Sequence, residues 1–127
     1  MSDLKRQNIQ VSVETTYIAS SSEPKAARYV FAYSITIKNT GNIEAQLLNR
    51  HWVITDANGK IQEVRGEGVV GEKPHIQPGE SFQYTSGTVI ETPVGSMQGS
   101  YHMLDSSGEK FTAPVPLFSL SIPRTLH

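Results

Sequence analysis

No cysteine occurs among the 127 residues. Disulfides, thiol nucleophiles, zinc fingers and iron–sulfur clusters are excluded together, and the lack suits a reducing compartment. An excess of charge of one sign is also missing. Eleven Lys and Arg stand against 12 Asp and Glu, and the basic residues form no run. A nucleic-acid backbone needs a concentrated positive surface, so nucleic acid is not an expected partner. No apolar run approaches the length of a bilayer span. The opening MSDLKRQNIQ lacks the apolar stretch of a signal peptide. A cytoplasmic protein without a membrane partner is the expectation. Helical periodicity is absent too, and the length suits one domain over residues 1–127.

What is present is alternation. Ile9, Val11, Val13, Thr15 and Tyr17 alternate with polar residues, as do Tyr29, Phe31, Tyr33, Ile35 and Ile37 with smaller ones. Leu48, Trp52 and Ile54 share a parity that Arg50 interrupts. Phe82 with Tyr84, Tyr101 with Met103, and Phe118 with Leu120 and Ile122 continue the pattern. Period two places each set on one side of a strand. Turn residues separate the sets. Asn39-Thr40-Gly41-Asn42 ends the second strand, and Asp56-Ala57-Asn58-Gly59-Lys60 reads as a tight hairpin. Gln77-Pro78-Gly79-Glu80 leads into a strand, and Asp105-Ser106-Ser107-Gly108 joins a second hairpin. Pro114 and Pro116 place the last strand at an edge or give it an irregular start. Residues 19–27, ASSSEPKAA, read as a mobile loop. Seven or eight such strands predict an all-β fold. It is an immunoglobulin-like or fibronectin type III-like β-sandwich of two antiparallel sheets.

Gly66-Glu67-Gly68-Val69-Val70-Gly71 is a literal G-x-G-x-x-G. As a dinucleotide fingerprint it must open a helix whose amides hold pyrophosphate. Pro74, Pro78 and Gly79 follow instead, and a helix cannot form through them. The glycines then read as a bulge, a positive-φ turn or a close backbone approach. A glycine-rich turn can also offer amides to an anion without a helix. That makes Arg65, Gly66, Gly68, Gly71 and Lys73 a candidate site for a nucleotide or pyrophosphate.

Other chemistry is sparse. His51, His75, His102 and His127 lack ligand spacing, and His51 and His102 have outward parity. Asp56-Ala57-Asn58-Gly59 does not continue into a calcium loop. Gly95-Ser96-Met97-Gln98-Gly99 is no nucleophile elbow. No metal, cofactor or catalytic residue is expected. Trp52 reads as a sandwich-core residue. The other reading makes Arg50, His51 and Trp52 a contact surface.

Several longer segments carry a resemblance. RHWVITDANG, VRGEGVVGE, PGESFQYTSGT and GSY resemble the bacterial ApaG proteins, also called CorD, over nearly the whole chain. The resemblance implies the same sandwich and no established enzymatic activity. It carries links to cobalt resistance and magnesium efflux, and to gene neighbours encoding a diadenosine tetraphosphatase and a ribosomal RNA methyltransferase. Similar domains in eukaryotic F-box proteins and a polymerase delta-interacting protein look like protein-recognition modules. The expectation is a non-catalytic binding module with an unidentified protein partner, or a homodimer through paired edges. The alternative is small-anion binding through the glycine run.

Overall fold

A computed structural model describes residues 6–123. His127 lies outside them. The strands run in chain order as β1 (Ile9–Tyr17), β2 (Tyr29–Asn39), β3 (Ala45–Asp56), β4 (Ile61–Glu67), β5 (His75–Ile76), β6 (Ser81–Ile90), β7 (Val94–Asp105) and β8 (Lys110–Ser121). One sheet has the order β1-β2-β6. The other has the order β4-β3-β7-β8, with β5 also pairing β3. Every pairing is antiparallel. This is the two-sheet sandwich that the alternation predicts.

The inward residues of both sheets form one core. Phe31, Ile35 and Ile37 of β2 meet Leu47, Trp52, Met97, Tyr101 and Leu120 of the opposite sheet. Trp52 lies at its centre. Its ring stands nearly perpendicular to those of Tyr101 and Phe118, with centroids 6.0 and 5.9 Å away. Edge-to-face contacts of this kind suit the aromatic quadrupole. Gly99 lies across from Trp52, and a Cβ there would come within 2.8 Å of the indole Cε3.

The hairpins form where expected. Gly59 and Gly108 adopt φ of +82° and +91° in the β3–β4 and β7–β8 turns. β8 is an edge strand, as its prolines predict. It gains an extra residue between the Val115–Gly99 and Phe118–Met97 pairs, where Pro116 and Leu117 face solvent. The 19–27 stretch is more ordered than a mobile loop. Two 3-10 turns, Ala19–Ser21 and Pro24–Ala26, occupy it, and Glu23 bridges Arg28.

One expectation about β3 changes. Leu48 does not share the parity of Trp52. Leu47 pairs with Met103 and Asn49 with His102, so Leu48 is an extra residue in a β-bulge. Before the bulge Ala45 and Leu47 face inward; after it Arg50, Trp52 and Ile54 take the inward parity. Arg50 is the polar residue on that inward parity, and Leu48 is the one that leaves it.

Candidate functional site

The two sets of residues singled out from sequence lie side by side. β4 pairs β3 so that Arg65 sits opposite His51, Gly66 opposite Arg50 and Glu67 opposite Asn49. Arg50, His51 and Trp52 nonetheless do not form one contact surface. The bulge turns Trp52 inward, and only 2% of it is exposed. His51 is on the outer side, where its Nε2 lies 2.7 Å from Glu63 Oε1. Arg65 reaches the same carboxylate oxygen at 3.2 Å. The hydrogen bond with His51, followed by the charge of Arg65, lowers the pKa of Glu63. An outer hollow of about 330 Å³, lined by Asn49, His51, Arg65 and His102 among others, lies over this cluster.

The glycine run connects β4 to β5. The Gly68 N–H donates to the carbonyl of the bulged Leu48 at 2.7 Å, and Gly68 has φ +62°. A Cβ at Gly68 would lie within 2.3 Å of the Glu72 carbonyl oxygen. Val69 and Glu72 then exchange backbone hydrogen bonds of 2.8 and 2.9 Å. Between them Val70 and Gly71 take φ of +43° and +80°. Two central residues with positive φ mark a tight hairpin turn of the primed kind. Gly71 suits that turn; Val70, being β-branched, is strained in it.

This geometry answers what the glycines do locally. The amides of Gly68, Val69 and Glu72 already donate within the protein. The flanking cations serve different carboxylates: Arg65 engages Glu63, while Lys73 Nζ lies 3.6 Å from Glu67 Oε2. What the loop offers to Arg50 is carbonyl oxygen. Arg50 Nη1 donates to the carbonyls of Glu67 and Gly68 at 3.0 and 2.9 Å.

Arg50 thereby borders a cleft of about 280 Å³ between β6 and the turn. Tyr33, Trp52, Tyr84, Ser86 and Val69–Gly71 also line it. The Tyr84 hydroxyl is paired with that of Tyr101 at 2.6 Å. Burial pushes Tyr84 up to about 12, and Tyr101 further, so both stay protonated. Tyr33, Tyr84 and Ser86 were not singled out from the sequence. Their signal was available, because tyrosines on inward parity need polar partners.

The family model described as the ApaG domain matches residues 19–105. A relative from Thiobacillus denitrificans, named Protein ApaG, is 56% identical over 127 residues, covering all of both chains. One from Nitrosospira multiformis with the same name is 55% identical, again over all of both chains. A crystal structure described as an ApaA protein from Bordetella pertussis superimposes with a TM-score of 0.93. It is 47% identical, and the match covers 96% of this chain and 99% of that one.

Proposed function

The chain belongs to the ApaG domain family, and we propose that it acts as a non-catalytic module that docks an extended segment of a protein partner along β4. The carrying observation is where apolar surface is left uncovered. Among the described residues five large apolar side chains are exposed, and three belong to β4 or the turn after it: Ile61, Val64 and Val70. β4 pairs only with β3, so its other side offers free backbone groups. The opposite edge of the sheet is blunted, since β8 carries Pro114 and Pro116 and a register shift. β4 has neither feature. The names of the relatives specify no reaction.

On this reading the family's link to cobalt resistance and magnesium efflux is indirect, through the partner. His51 and His75 engage Glu63 and Glu44 respectively. Among the described residues no group of three or more His, Cys, Asp or Glu is placed to hold a metal ion.

A photo-crosslinking residue at Gln62, on β4, tests the proposal in cells. The expected result is one discrete heteromeric adduct, identified by mass spectrometry and lost when Ile61→Lys is added. The same probe at Leu117 should not give it. An adduct composed of two copies of this chain would replace the partner reading with a homodimer. Identical adducts from both positions, or none from Gln62, would overturn docking along β4.

A further inference from the structure

We infer that the cleft between β6 and the 69–72 turn binds a carboxylate, independently of docking along β4. The first observation is an unpaired donor. The Trp52 indole Nε1–H is buried and has no hydrogen-bond partner. Buried polar groups are rarely left so, and an exception asks what is to occupy the space beside it. The Cε3 edge of the ring faces Gly99 on β7. Nε1 is on the opposite edge of the indole, and Trp52 lines the cleft.

The second observation is a fixed cation at the same cleft. Both contacts of Arg50 with the turn use Nη1. Among the described residues, Nε and Nη2 have no hydrogen-bond partner. Those two nitrogens form a planar fork matched to the two oxygens of a carboxylate. The guanidinium also has a fixed seat. A Cβ on Gly66 would come within 2.8 Å of Cζ and both terminal nitrogens, so only glycine leaves room for the group there.

The third observation is the wall. Tyr33 and Ser86 make no side-chain hydrogen bond among the described residues, and both line the cleft. Val70, held at φ +43° and exposed, stands at the rim. Strained backbone of this kind collects at binding sites. The site is unlike a loop of amides wrapped around pyrophosphate. Its donors are side chains and its base is aromatic.

The chain's single tryptophan gives one indole N–H signal, which is a direct readout. The probes are 3-phenylpropionate, its amide, a tripeptide ending in valine with a free carboxylate, the same peptide amidated, and pyrophosphate. Each is titrated into labelled protein while NMR follows the indole and the backbone amides. The expected result is a saturable shift of the indole signal with 3-phenylpropionate or the free peptide and not with the amides. Affinity should fall at least tenfold in Arg50→Gln with the spectrum kept away from Arg50 and residues 66–73. A response to the free acid assigns the site to small acids; a response to the peptide alone assigns it to a chain terminus. Equal shifts from acids and amides, no saturable indole shift, or pyrophosphate shifts confined to the amides of residues 66–73 would each overturn the inference. Crosslinking from β4 has no bearing on these outcomes, so either reading can fail alone.

Discussion

The guanidinium of Arg50 lies against Gly66, so close that a Cβ there would sit 2.7 Å from Nη1. The two residues face each other across the β3–β4 ladder. Gly66→Ala should displace the Arg50 tip rather than the backbone, because the clash is with the far end of a long side chain. The expected loss is below about 1 kcal/mol. Amide shifts should appear at Glu67 and Gly68, whose carbonyls Arg50 holds. Arg50→Gln should then add little in that background. Full additivity of the two losses in denaturant unfolding would disprove the coupling.

Val70 occupies a turn position that favours asparagine or glycine. Its side chain is 56% exposed, so little burial is lost on replacement. Val70→Asn should stabilise the fold by about 1 kcal/mol. A urea midpoint at or below that of the parent protein would show that the turn is not strained.

The hydroxyls of Tyr84 and Tyr101 satisfy each other inside the core. Either Tyr→Phe change strands one buried hydroxyl and should cost about 1–2 kcal/mol. Changing both should cost hardly more than changing one, since no polar group is then left unpaired. A double-mutant cycle measures the coupling; strictly additive costs would mean that the pair is not a closed unit.

Asp105 fastens the β7–β8 turn to the N-terminal segment. Its carboxylate accepts from the hydroxyl and N–H of Ser107, the Glu109 N–H and the Gln7 side chain. The Ser107 hydroxyl, then Gln7, hold the carboxyl well below its ordinary 3.8. Folding therefore favours the ionised form. The resulting stability is fully present above 3.8 and is lost as pH falls from there through the depressed folded value. Asp105→Asn should be less stable than the parent at neutral pH, with the gap narrowing toward about pH 2. Urea midpoints across that range check the sign, and a constant gap would refute it.

The sandwich was legible because β2, β6 and β7 keep their parity from end to end. The turns were legible from local chemistry, with Gly59 and Gly79 at positions that need positive φ. The glycine run was half legible. Its prolines ruled out a helix, but the Val69–Glu72 hydrogen-bonded turn depends on Val70 adopting a conformation that valine does not announce. The cleft was the least legible part. It assembles Tyr33, Arg50, Ser86 and Val70 from four separate segments, and nothing local in any of them marks the others. The irregularity in β3 was hidden for a related reason. The bulge at Leu48 is closed by a hydrogen bond from Gly68, twenty positions later.

That bulge makes pairing register itself a determinant of what the protein can do. Deleting Leu48 would alter no side-chain chemistry in the cleft or the core. It would leave Leu47 against Met103 and Asn49 against His102, with the cation and the indole still facing inward, whereas a strand that kept Leu48 without the bulge would carry both to the solvent side and bring Asn49 and His51 into the interior. A lineage could thus exchange nearly every surface residue of β3 and keep the same protein. It could not pair this single position as an ordinary rung without turning the rest of the strand inside out.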